Sequence, residues 1–143
     1  MKKIIFLFLL SCGLMLTSAY SQVKDSLAIR NLLEQQTREW NAGHIEAFMN
    51  GYWKNDSLMF IGKTGVTYGW QSTLNNYIRS YPDTMAMGKL KFNLLKFNRI
   101  AKDYFFVVGQ WHLTRKIGDL SGVFTLLFRK INNTWVIIAD HSS

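Results

Sequence analysis

Ile29, Leu32, Leu33 and Trp40, with Gln36 among them, recur at spacings of three and four. That period predicts an amphipathic helix over residues 26–42. Asp25 or Ser26 is placed to accept hydrogen bonds from its first amides, and Gly43 is placed to stop it. A second short helix is expected from His44 to about Trp53, with Ile45, Phe48, Met49 and Tyr52 on one side. Leu58 to Ile61 and Val66 to Tyr68 read as short strands around the turn residues Lys63-Thr64-Gly65. Trp70, Leu74, Tyr77, Ile78 and Tyr81 mark a third helix that Pro82 must end. Asp83 to Gly88 reads as a loop.

The period then changes to two. Leu90, Phe92 and Leu94 alternate with Lys89, Lys91 and Asn93, after which Leu95 and Phe97 take the opposite parity. A bulge near Leu94-Leu95 that bends the strand is the simplest account. Further strands are expected from Tyr104 to Thr114, from Gly122 to Lys130 and from Thr134 to about His141, with Asn132-Asn133 as a hairpin turn. Short connections make these four strands antiparallel neighbours. The fold class is α+β, with the N-terminal helices packed on a curved, mainly antiparallel sheet. Both faces of the last three strands are apolar. One face meets the helices; the other is expected to meet a second subunit, giving a homodimer through the outer sheet face.

The ends and the charge refine this picture. Lys2 and Lys3, the apolar run Ile4 to Leu16 and the small residues from Thr17 to Ser21 follow the order of a secretory signal peptide. Cleavage is expected after Ser21, leaving a single exported domain over residues 22–143. The apolar run is too short to span a bilayer, which takes about 20 residues, and no second run is longer, so no membrane span is expected. Cys12, the single cysteine, sits inside the leader; a lipid anchor there is the alternative to simple removal. A cysteine-free mature chain excludes disulfides and thiolate chemistry. With 48% hydrophobic and 18% charged residues in 143, the chain is neither disordered nor multi-domain. Loss of Lys2 and Lys3 lowers the formal charge from +8 to +6. The remaining cations are scattered, as on a solvated surface, so nucleic acid is not the expected partner.

Four stretches carry a family resemblance. They are Trp40-Asn41-Ala42-Gly43-His44-Ile45-Glu46-Ala47-Phe48, Gly69-Trp70, Gly109-Gln110-Trp111-His112-Leu113, and Trp135 through Asp140-His141-Ser142-Ser143. In this order they resemble the nuclear-transport-factor-two-like superfamily, most of all its SnoaL-like branch, often labelled only as a domain of unknown function (the family numbered 4440). The resemblance covers about residues 27–143 and implies a cone-shaped α+β fold. Where that family often has Gly-Asp between the first two helices, this chain has Gly43-His44. The superfamily includes ketosteroid isomerases, dehydratases, cyclases and plain binding modules, so the fold does not choose a reaction.

A helix-lined cone requires a cavity with aromatic walls and a few polar groups aimed inward. Trp40, Tyr52, Trp53, Phe60, Trp70, Tyr81, Trp111 and Phe124 are the candidate walls, each equally able to be ordinary core. Asp140 and His141 are the candidate catalytic acid–base groups. Neighbours on a regular strand point to opposite faces, so only one of them can enter the cavity. By parity Asp140 goes with Val136 and Ile138, and His141 with Trp135 and Ile137. Tyr52 or Tyr81 could donate a hydrogen bond to a developing oxyanion. His112 and His44 read as surface groups. No metal-ligand spacing, nucleophile elbow or phosphate loop is present, so neither metal nor cofactor is expected. Three functions follow: a secreted module binding a small apolar or ring-shaped molecule; an isomerase-, dehydratase- or cyclase-type enzyme using Asp140 or His141; or an oligomerisation module.

Overall fold

The spacing on α1 (Lys2–Asn41) lays Ile29, Leu33, Gln36 and Trp40 along one buried stripe. The structure, a computed structural model, describes the backbone of residues 2–143 and the side chains of residues 22–143. The leader predicted over residues 1–21, Cys12 included, lies outside the residues whose side chains are described. Beyond α1 come α2 (Ile45–Phe48) and a 3-10 turn (Met49–Gly51), then β1 (Met59–Gly62), β2 (Gly65–Tyr68) and α3 (Trp70–Ser80). The segment Asp83 to Gly88 is not a plain loop: Thr84–Met87 forms a helical turn, α4, and the Asp83 carboxylate accepts from the Ala86 amide at 2.7 Å. Four long strands follow: β3 (Lys89–Ala101), β4 (Tyr104–Thr114), β5 (Leu120–Ile131) and β6 (Thr134–Ser142).

The six strands form one open sheet in the order β2-β1-β6-β5-β4-β3. All neighbours are antiparallel except β1 and β6, which run parallel. Leu90, Phe105, Val107, Leu113, Phe124, Leu126, Phe128, Trp135 and Ile137 are buried together with the α1 stripe. Full burial of each such side chain stabilises by about 1.5–3 kcal/mol. This is the expected architecture of helices on a curved, mainly antiparallel sheet.

Three bulges bend the sheet, one at Ile100 near the end of β3 and two within the strands. On β3 the register steps from Leu94 to Lys96, leaving Leu95 as the extra residue, exposed on the outside. Gly109, opposite Leu94, leaves room at the bend: a Cβ there would run into the Phe124 ring. On β6, Leu127 pairs with Ala139 and Phe128 with Ile137, so Ile138 is the extra residue. Asn132 and Asn133 hold the β5–β6 turn with φ of 49° and 62°, the paired left-handed conformation of a tight hairpin.

Asp25 is not a cap. α1 runs straight through it, and its buried carboxylate accepts from Lys130 Nζ at 2.9 Å and from Trp135 Nε1 at 3.1 Å. Arg99 Nη2 lies 3.4 Å from its other oxygen. This cluster pins the helix to β3, β5 and β6. Ser26 is no cap either; its hydroxyl donates to the Val23 carbonyl.

Candidate functional site

Between the helices and the inner face of the curved sheet lies a cavity of about 770 Å³. α1 contributes Gln36 and Trp40, and α2 with its following turn contributes Phe48 and Tyr52. β1 contributes Phe60, and α3 contributes Thr73, Asn76, Tyr77 and Arg79. The long strands supply Leu90, Phe92, Trp111, Leu113, Phe124, Leu126 and Asp140. The aromatic rings meet largely edge to face, with Trp40 centred 4.9 Å from Tyr81 and 5.1 Å from Phe48, and Phe92 centred 5.2 Å from Phe124. Such edge-to-face pairs each stabilise the wall by about 0.5–1.5 kcal/mol beyond simple burial. Beside the cavity, Gln36 Nε2 donates to the Phe48 carbonyl at 3.0 Å. A Cβ at Gly51 would sit 2.6 Å from the Gln36 amide and would force that side chain to shift.

The bulge at Ile138 decides which polar group enters. In an unbroken strand Asp140 would face away from Trp135 and Ile137. The extra residue shifts the phase, so Trp135, Ile137 and Asp140 are all buried on the helix side. His141 is thereby turned out of the cavity and exposed, paired in register with Ile61 and Thr125. The parity argument left open which of the two enters the cavity, and its grouping of Asp140 with Val136 and Ile138, opposite Trp135 and Ile137, fails for want of that one inserted residue.

Asp140 is 4% exposed. Tyr52 Oη donates to its Oδ2 at 2.7 Å, and Ser142 Oγ donates to its Oδ1 at 2.8 Å. The Tyr77 hydroxyl stands 3.4 Å from that of Tyr52. No lysine or arginine among the described residues pairs with Asp140. Burial therefore pushes its carboxyl up to about 6, against the opposing pull of the Tyr52 and Ser142 hydrogen bonds and the His141 charge. Burial, with the Asp140 charge, also raises Tyr52 and Tyr77 above the ordinary tyrosine range. Both hydroxyls stay protonated and can act only as neutral donors or acceptors.

Of the eight aromatic walls read from the sequence, Trp40, Tyr52, Phe60, Tyr81, Trp111 and Phe124 line the cavity. Trp53 and Trp70 do not. Trp70 is buried in the first turn of α3, where its indole N–H donates to the Met49 carbonyl at 2.9 Å and the Lys54 ammonium covers its ring. Trp53 lies in the segment that follows Tyr52, its amide bonded to the Ile137 carbonyl at 2.9 Å. Tyr77 and Phe48 were read only as positions on helical stripes, and both are cavity walls. Among the described side chains, Trp111 Nε1 is the one buried polar atom without a hydrogen-bond partner. His112 and His44 are exposed and pair with Asp119 and Glu39. No cluster of three metal-ligating side chains occurs among the described residues, and no described helix is long and apolar enough to cross a membrane.

No family model and no curated protein matches the chain. Solved structures do. An NTF2-like protein of unknown function from Shewanella oneidensis MR-1 is 41% identical, with 83% of this chain and 98% of that chain covered and a TM-score of 0.80. A ketosteroid isomerase-like protein from Erwinia carotovora atroseptica is 16% identical over 82% of this chain and 93% of its own, with a TM-score of 0.63. LinA is 14% identical over 88% and 89%, with a TM-score of 0.70. The last two share the fold alone. The first is alike in sequence over nearly its whole length, and the chain belongs to the NTF2-like family.

Proposed function

We propose that this chain is an exported small-molecule-binding domain whose cavity takes a compact, largely apolar, ring-shaped guest. The observation that carries the reading is the cavity itself, about 770 Å³ with aromatic walls and a single buried carboxylate. Its volume is within the range of pockets that enclose small ligands. Apolar rings supply most of the affinity through burial. Asp140 can accept a hydrogen bond from a guest hydroxyl or amine, and the unpaired Trp111 N–H is a donor in search of an acceptor. Titration of the purified protein with a panel of ring compounds, followed by tryptophan emission, tests this. Saturable quenching is expected from Trp40 and Trp111, and emission that stays flat across the panel would sink the reading. The protein is further expected as a homodimer through the outer sheet face, where Leu95 and Val123 are exposed. Light scattering at micromolar concentration checks this.

A second reading is favoured by one specific contact, the 2.7 Å hydrogen bond between Tyr52 and Asp140. A carboxylate that titrates near 6 beside a protonated tyrosine can take a proton from carbon next to a carbonyl at neutral pH. Tyr52 spends its own proton on Asp140, so the donor to the developing oxyanion would be Tyr77, or Tyr52 once substrate has displaced it. The likeness in fold to the ketosteroid isomerase-like protein from Erwinia carotovora is in keeping with this chemistry. Deuterium exchange at the α-carbon of a cyclic ketone, present in the protein and lost in Asp140→Asn, tests it. Equal exchange in both proteins would restrict the site to binding.

A further inference from the structure

Polarity in the cavity runs from end to end. Its deep residues, among them Gln36, Trp40, Tyr52 and Asp140, are buried. Its exposed lining residues define the mouth, and they include Lys63 in the β1–β2 turn and Arg79 near the end of α3. Among the described residues no carboxylate side chain other than Asp140 lines the cavity. Among the described residues neither Lys63 nor Arg79 is ion-paired. Arg79 is also held in place. Its Nη2 donates to Asn76 Oδ1, and Asn76 Nδ2 donates to Thr67 Oγ1 at 3.0 Å, a chain that ties the guanidinium to both α3 and β2. Asn76 and Thr67 line the cavity as well. A guanidinium fixed through one nitrogen keeps its remaining N–H groups free for an oxyanion, whose planar fork it matches.

We infer that the natural guest is an amphipathic anion, a ring-shaped apolar body bearing a carboxylate or sulfonate that sits at the mouth against Arg79 and Lys63. This rests on the cavity being a binding site and adds the charge class of what it binds. The negative charge of Asp140 at the deep end fixes the direction of entry. It repels the anionic head and leaves the apolar body to go in first. A neutral ring compound would use the walls but not the mouth.

A matched pair of probes separates the two claims. N-phenylnaphthylamine is neutral; anilinonaphthalene sulfonate has the same rings plus an anionic group. Each is titrated into the protein and followed by tryptophan quenching, and competition between them establishes that they share one site. At low ionic strength the sulfonate is expected to bind roughly three- to tenfold more tightly. That advantage should disappear at high salt and in the Arg79→Gln, Lys63→Gln double variant, where the ratio of the two probes' affinities should fall to about one. Both side chains are exposed, so the variant folds, and Arg79→Glu should turn the preference towards the neutral probe. Equal affinities in the parent protein, or an advantage that survives the double variant, would overturn the anion assignment while the cavity remains a binding site. If neither probe quenches, the cavity reading fails and takes the anion assignment with it.

Discussion

Two buried aspartates, one at each end of the molecule, show what a fold does with a carboxylate it needs and with one it tolerates. Asp25 is 5% exposed and Asp140 is 4% exposed. Burial raises both, but Asp25 has Lys130 on one oxygen, Arg99 by the other and the Trp135 indole besides. The net effect holds its carboxyl below the usual range. Asp140 has two hydroxyl donors and no cation, so burial prevails and its carboxyl rises to about 6. A buried charge with full partners serves as a clasp. A buried charge without them costs stability, which a core made only for packing would avoid by using an apolar residue. Asp140 also faces a cavity, and Asp25 does not.

The largest effect should come from breaking the clasp. Asp25→Ala strands Lys130 and Arg99, whose side chains are only 28% and 17% exposed, and takes the acceptor from the Trp135 N–H. A loss of about 2–4 kcal/mol is expected at neutral pH, read as a lower denaturant midpoint. Because the folded carboxyl lies below its unfolded value of 3.8, the contribution is complete above that value. It is lost as pH falls further, through the folded pKa. The deficit of the variant should therefore shrink below pH 4. A change under half a kcal/mol would erase the distinction between the two aspartates.

Asp140→Asn should act in the opposite direction. The folded carboxyl is raised from 3.8 to about 6, so the native state binds the extra proton between those values and stability falls as pH rises through that window. Above it, the ionised group costs on the order of 2–3 kcal/mol. Asparagine keeps an acceptor for Tyr52 and removes the charge. The variant is expected to melt higher than the parent at pH 7–8 by several degrees, a gain on the order of 1–2 kcal/mol. Near pH 4 the two should melt together. A variant that is less stable at pH 8 would make Asp140 a second clasp.

The contrast between the bulges at Leu95 and Ile138 shows how far the sequence could be read. On β3, charged and amide residues alternate with apolar ones, so Leu94 followed by Leu95 breaks a visible rhythm. The bulge was expected there and is there. On β6, Val136, Ile137, Ile138 and Ala139 are all apolar. An extra residue in such a run breaks no pattern, so parity grouped Asp140 with Val136 and Ile138 rather than with Ile137 and could not say whether it or His141 faces the cavity. The buried stripe of α1 was legible from spacing alone. The role of Asp25 was not, because its partners lie more than seventy residues away in sequence. Aromatic content pointed to a lined cavity, but residue type carries no direction. Hence Trp53 and Trp70 were taken for walls, while Tyr77, on the same helical stripe as Tyr81, was not named among them.

Tyr52→Phe sharpens the comparison on a smaller scale. It removes the 2.7 Å hydrogen bond from the ionised carboxylate, so the Asp140 carboxyl should rise further. The expected cost is roughly 1 kcal/mol at pH 7–8. It should fade as the pH drops and Asp140 takes up its proton, since the hydrogen bond favours the charged form. Thermal melts across pH, with carboxyl carbon shifts followed by NMR, measure both. An unchanged Asp140 titration would mean that Ser142 alone holds the carboxylate.

The smallest effect belongs to His141→Ala. His141 is exposed on the outer face and among the described residues forms no ion pair with a carboxylate, so its removal should change stability by less than about 0.5 kcal/mol. Its positive charge exerts a lowering pull on Asp140. The carboxyl should therefore move slightly upward in the variant, and cavity binding should not change. The value of so small an effect lies in what a large one would mean. If His141→Ala abolished binding while Asp140→Asn did not, β6 would run without its bulge at Ile138, His141 would point inward, and the buried charge without a cation would not be in the cavity.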